Sequence, residues 1–213
     1  MNSQQYSSPV NFMDTRFLAY RFYTETVEVS RMSALAFFEA GEQHFKGKRM
    51  FWQNREKTFT WVGLGHAHVI TATNTHGRFE QVKEDWQSLC KQIVNEELEV
   101  QPILFGGFSF DPLNKKNSEW TQFPEAYFAV PTFQLIMKDD RAFVSIHLIT
   151  KDDETFAAFD ALRKERDKLI HSAQVSERKK YRKPLVVKRT ELKKDQYLES
   201  IKIFIILKLF YWF

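Results

Sequence analysis

A chain of 213 residues that is 43% apolar and 15% aromatic holds material for one buried core or one and a half, which excludes a globally disordered protein. Twenty-one Phe and five Trp against seven Gly and six Pro exclude a fibrous or linker-rich chain. The net charge of +4 is concentrated between Arg178 and Lys194, where nine bases stand against one acid, so the rest of the chain is mildly acidic.

The first segment, MNSQQYSSPVNFMDTR, has neither a basic start nor the apolar stretch that secretion requires, so residues 1–15 read as a flexible N-terminus and the expected address is cytoplasmic. Residues 16–29 are rich in aromatic and β-branched types and predict a strand with both faces partly covered. Ser33 then caps SALAFFEAGEQHF, a short helix expected to end near Gly41 or Gly47. RMFWQN and FTWVGLGHAHVITA return to strand character, with Gly63 and Gly65 marking a bulge or a close backbone approach.

FEQVKEDWQSLCKQIVNE carries Phe79, Val82, Trp86, Leu89, Ile93 and Val94 at the spacing of one buried helical face. The lone Cys90 falls on this pattern and reads as a small buried hydrophobe; one cysteine forms no internal bridge. PILFGGFSFDP is a short apolar strand with a double glycine. AYFAVPTFQLIM and AFVSIHLIT follow, joined through Lys138, Asp139, Asp140 and Arg141 as a hairpin.

A second long helix begins near Asp152 or Asp153 and turns Phe156, Phe159, Leu162, Leu169 and Ile170 inward. After the basic run, Thr190 can cap a last helix over TELKKDQYLESI. The tail IKIFIILKLFYWF is thirteen residues long and broken by Lys202 and Lys208, too short to span a bilayer, which needs about twenty apolar residues. These elements predict an α+β architecture, a largely antiparallel sheet with helices packed on one side of it.

Chemical motifs are sparse. His66 and His68, two apart on one strand, would share a face as metal ligands must, but no third ligand stands at a recognisable spacing, and ordinary strand histidines are the simpler reading. His147 alternates with apolar neighbours and reads as a satisfied, half-buried strand histidine. The glycines of Gly63–Gly65 lack the third glycine and the strand-to-helix setting of a phosphate loop. Ser109 lacks the flanking glycines of a nucleophile elbow. The basic run holds a single aromatic, Tyr181, and no recognition helix, so a solvated linker is favoured over a phosphate-backbone grip.

PILFGGFSFDP, Trp120 and FPEAYFAVPTFQL together resemble a stretch in the N-terminal half of menaquinone-type isochorismate synthases. In that family a GGF-x-FDP strand precedes a Trp, a Phe-Pro pair and a strand with its own Pro. ALAFFEAG and FWQNREKTFTWVGLG also look like the family's pattern, and the resemblance covers roughly residues 16–200. Anthranilate and aminodeoxychorismate synthases typically continue their Gly-Gly strand as GY-x-YD, and siderophore-type isochorismate synthases more often show IPFDP; this chain has neither.

The resemblance implies the N-terminal part of the anthranilate synthase component I-like, chorismate-binding fold, and a Mg²⁺-dependent isomerisation. Water adds at one ring carbon of chorismate while hydroxide leaves another, with a lysine as general base, a glutamate as general acid and further glutamates on the metal. Family members carry these groups in the C-terminal half, the lysine in a K-x-V-L-A-R-like strand shortly after a helix resembling LKKDQYLESI. Here KIFIILKLFYWF follows Ile201 instead.

Residues 16–175 are therefore expected to be the N-terminal half of the fold, 176–200 a basic linker and helix leading to the catalytic half, and 201–213 an atypical apolar tail. A frameshift near codon 200 would account for that tail; a genuine apolar helix end docking on the core is the alternative. No catalytic, cofactor-binding or metal residue is assigned within the chain, no Mg²⁺ is expected on it, and alone it should be inactive. Chorismate is the substrate of the full-length family; neither nucleic acid nor membrane is an expected partner. The competing reading is a non-enzymatic module that uses 178–194 to hold an acidic partner such as nucleic acid.

Overall fold

The structure is a computed structural model, and it describes residues 20–73, 76–94, 100–110, 122–151, 155–176, 193–195 and 197–199. The chain divides into two compact units, Met1–Lys179 and Lys180–Phe213. The final helix expected over 190–200 is described only at 193–195 and 197–199, where helical residues occur and the Tyr197 N–H donates to the Lys193 carbonyl at 3.0 Å. The N-terminal stretch before residue 20, most of the basic run and the tail 201–213 lie outside the described residues.

The first unit runs β1 (Arg21–Val29), α1 (Ala34–Ala40), β2 (Arg49–Gln53), β3 (Phe59–Leu64), β4 (His68–Ala72), α2 (Arg78–Cys90), β5 (Phe105–Phe108), β6 (Ala126–Val130), β7 (Phe133–Lys138), β8 (Arg141–Thr150) and α3 (Thr155–Ser176). Five strands form one sheet in the order β1-β8-β7-β3-β2 and three form a second, β4-β6-β5. Every named pairing is antiparallel, so the fold class is α+β as expected. Two apparent single strands prove to be divided between the sheets. FTWVGLGHAHVITA breaks at Gly65, whose φ of +74° reaches the left-handed region that glycine enters without Cβ strain. AYFAVPTFQLIM breaks at Pro131, which has no N–H to give a ladder.

Alternation along the strands gives the five-stranded sheet two different faces. Val62, Leu64, Phe133, Leu135, Val144 and Ile146 point to one side and join Ala36 and Phe37 of α1 and Leu169 and Ala173 of α3 in the main core. α1 forms where Ser33, in extended backbone, accepts from the Ala36 N–H at 3.2 Å, and it stops at Gly41. The Gly41 Cα faces Leu64, with no room for a side chain. On the same face Glu25 accepts hydrogen bonds from Arg163 and Arg166, fastening α3 to β1.

The opposite face carries a row of buried polar side chains, Thr24, Gln134, Ser145 and His147, beside Phe22. α2 lies on this side: Leu89 and Trp86 pack with Phe22 and Val130, and Val82 packs with Ile70 and Ala126 of the small sheet. The helices therefore flank the structure on two sides rather than one. α2 is also shorter than its periodicity predicts. It ends at Cys90, after which the chain pairs with β1: the Phe22 N–H donates to Gln92 O at 2.9 Å and the Val94 N–H to Phe22 O at 3.0 Å. Phe79 and Val94, expected inside, are 54% and 51% exposed. Phe79 sits in the first helical turn against the Phe108 ring, and Val94 lies past the helix end.

Candidate functional site

The residues singled out as chemical candidates are consumed by the architecture. His66 lies in the β3–β4 connection and His68 opens β4, so they do not share a strand face as expected. The His66 Nδ1 is 3.2 Å from the Tyr127 hydroxyl, whereas His68 meets the Tyr20 ring edge-on at 5.7 Å. Burial lowers the pKa of both histidines, with Lys48 adding repulsion at His66. Among the described residues no three His, Cys, Asp or Glu side chains gather as metal ligands would. Cys90 is half-buried and its thiol is pushed up to about 11 by burial, which makes it a poor nucleophile.

The glycines have local reasons. A Cβ on Gly65 would stand 2.8 Å from the Thr132 hydroxyl oxygen, and one on Gly63 3.0 Å from Pro131 Cβ, because here the two sheet crossings lie against each other. In the Gly106–Gly107 pair only the first is enclosed: its Cβ would fall 2.1 Å from the Tyr127 carbonyl, whereas nothing lies within 4 Å at Gly107.

Ser109 belongs to a cluster that the sequence reading did not foresee. Its backbone N–H donates to the Glu125 carbonyl at 2.8 Å, and its hydroxyl hydrogen-bonds both the Glu125 carboxylate and the Arg78 guanidinium. Arg78 pairs with Glu125 at 3.1 Å, their side chains only 6% and 13% exposed. The Phe79 ring centroid lies 5.1 Å from the guanidinium carbon and that of Phe108 5.9 Å. The start of α2, the end of β5 and the approach to β6 are thereby tied at one point. The clamp ties Ser109 to Glu125, and the carboxylate that Ser109 meets is committed to the Arg78 ion pair. Ser109 and Glu125 both belong to the motifs that carried the resemblance; Arg78, far away in sequence, had no such signal.

His147 departs from the expected half-buried, satisfied residue. It is 1% exposed, and its Nε2 is buried without a hydrogen-bond partner among the described residues. Its position on β8 points it into the interior between the sheets, not to a surface.

Residues 15–205 match the family described as "Chorismate binding enzyme". The chain belongs to this chorismate-binding family. Among curated relatives it is 34% identical to isochorismate synthase MenF of Bacillus subtilis (strain 168) over 128 residues, which are 56% of this chain and 27% of that protein. It is 29% identical to the salicylate biosynthesis isochorismate synthase of Pseudomonas aeruginosa over 94 residues, 43% of this chain and 18% of that one. The matched stretches thus cover less than a third of either relative. A solved structure, MenF, the menaquinone-specific isochorismate synthase from Escherichia coli, overlays 77% of this chain and 30% of its own, at a TM-score of 0.46 and 16% identity.

A magnesium ion, which the resemblance implies for the full-length family, needs several oxygen ligands converging on one point. The described carboxylates do not converge. Glu25, Glu28 and Glu125 each face an arginine, so these described residues do not fit a magnesium site. No described helix is long and apolar enough to cross a membrane.

Proposed function

We propose that this chain serves isochorismate synthesis, the conversion of chorismate to isochorismate on the menaquinone branch, and that it contributes scaffold rather than catalytic groups. The observation that carries the reading is the 34% identity to an isochorismate synthase, supported by the family match over residues 15–205. The motif residues have structural employment that suits it: Gly106 seats β5 on β6, and Ser109 and Glu125 join Arg78 in the clamp. In this reading 16–175 form the N-terminal half of the chorismate-binding fold and 176–200 a basic linker and helix. Mg²⁺, the base and the acid belong to the catalytic half of the full-length family.

The named relatives are isochorismate synthases, which favours this reading over a nucleic-acid module built on 178–194. Incubating the purified chain with Mg²⁺ and chorismate, coupled to isochorismate detection, tests the scaffold role. No turnover above background is expected. Turnover near that of an intact isochorismate synthase would refute it.

A further inference from the structure

The chain passes between the two sheets at two adjacent places, 65–67 and 131–132. The Ala67 N–H donates to the Val130 carbonyl at 2.8 Å, so the crossings are bonded to each other. His147 of β8 grips the second crossing twice. Its backbone N–H donates to Thr132 O at 2.8 Å, and its ring Nδ1 lies 2.9 Å from Pro131 O. A carbonyl only accepts, so the Nδ1 must carry the proton, and in a neutral ring Nε2 is then a bare lone pair. That lone pair is buried with no partner among the described residues.

The surroundings are apolar or uncharged. Phe22 meets the ring edge-on at 5.7 Å, β1 adds Thr24, β8 adds Ser145 and Ile149, the crossing adds Val130 and Thr132, and α2 brings Leu89 and Trp86. Among the described residues the ionisable groups packed into this interior include Asp85 on α2, which is buried, His68 at the start of β4, which is partly buried, and Tyr20, which packs against Phe22 and His68. Two influences bear on the ring's titration: burial, which lowers its pKa to about 4, and the Pro131 carbonyl, which works the other way.

We propose that His147 is an acid-released latch between the two sheets: its neutral ring pins the β6–β7 crossing to β8, and protonation at Nε2 frees that crossing before the large sheet opens. A proton on Nε2 creates a buried cation with no acceptor, and burying such a charge is costly. The ring relieves that cost by leaving its pocket, and with it goes the bond to Pro131. The main core is indifferent to this event, because Leu135, Val144 and Ile146 point to the opposite face of the sheet. A local opening with its own, smaller free energy is the consequence. With the folded pKa lowered from 6.5 to about 4, the latch contributes fully above about pH 6.5 and weakens as pH falls toward 4.

The test uses the full chain with ¹⁵N-labelled histidine. Imidazole NMR from pH 7 to 4 should find His147 as the Nδ1–H tautomer, taking up its second proton below pH 5. Residue-resolved hydrogen exchange, corrected for intrinsic pH dependence, should show the Ala67 and His147 amides accelerating about tenfold or more with that proton uptake, while Leu135 and Val144 stay protected. His147→Asn, which keeps a side-chain N–H donor but does not titrate, should remove the acid response. If that variant does not fold, the tautomer and exchange data on the unmodified chain decide alone. An Nε2–H tautomer, titration near 6.5 without change in exchange, or simultaneous loss of protection in both sheets would overturn the proposal.

Discussion

Placing alanine at each glycine of the Gly106–Gly107 pair separates a packing demand from a mere sequence habit. At Gly106 the new Cβ would lie 2.1 Å from the Tyr127 carbonyl oxygen and 2.6 Å from Phe128 Cα, both backbone atoms of the paired strand β6. Backbone cannot rotate away as a side chain can, so β5 must shift off β6. Overpacking of this kind costs about 1–3 kcal/mol, and each ladder hydrogen bond lost adds about 1 kcal/mol. β5 has only four paired residues to lose, Phe105–Phe108, so Gly106→Ala should destabilise by about 3 kcal/mol in all. For a chain of this size that lowers the Tm by about 6–12 °C. At Gly107 nothing lies within 4 Å, and the substitution should change stability by under about 1 kcal/mol. Urea unfolding of both variants, followed by tryptophan fluorescence, measures the difference. Equal effects at the two positions would refute the strand-contact argument.

Other substitutions probe separate contacts. Glu25→Gln should loosen α3 from β1, because Arg163 and Arg166 lose their shared carboxylate. The hydrogen bond from Arg163 leads the causes that hold the Glu25 pKa below 4.5, so its contribution is present above that pH and lost as pH falls through the lower folded value. Acid titration of stability should therefore be flatter below pH 4.5 in the variant, and an unchanged slope would contradict the linkage. Leu135→Ala, at a fully buried core position, should cost about 2–5 kcal/mol by urea unfolding. Ser33→Ala removes the α1 cap and should cost about 1 kcal/mol, with faster amide exchange at Ala36.

Local signals in the chain translated directly into structure. Ser33 before an apolar helix and Asp139–Asp140 between two apolar runs were legible because capping and tight turns are decided by neighbours in sequence; Asp139 takes a φ of +51°. The division into two sheets was not legible. β3 and β4 read as one run, as do β6 and β7, and only the Gly65 and Pro131 breaks send their halves to different sheets. The polar row Thr24, Gln134, Ser145 and His147 has the alternation of a solvated face, yet it is buried: α2 packs on Phe22 beside it, and the backbone of Gln101 and Ile103 hydrogen-bonds Gln134. Periodicity records which residues share a face and not what later covers it. Arg78 and Glu125 meet across 47 positions, and no local pattern announces such a pair.

The scaffold role is tested most directly by grafting. Residues 16–200 of this chain would replace the corresponding segment of Bacillus subtilis isochorismate synthase MenF, and the purified chimera would be assayed with Mg²⁺ and chorismate. A folded chimera that forms isochorismate is expected, and Gly106→Ala introduced into it should lower the temperature at which fold and activity are lost by about 6–12 °C. A chimera that folds yet forms no isochorismate would contradict it.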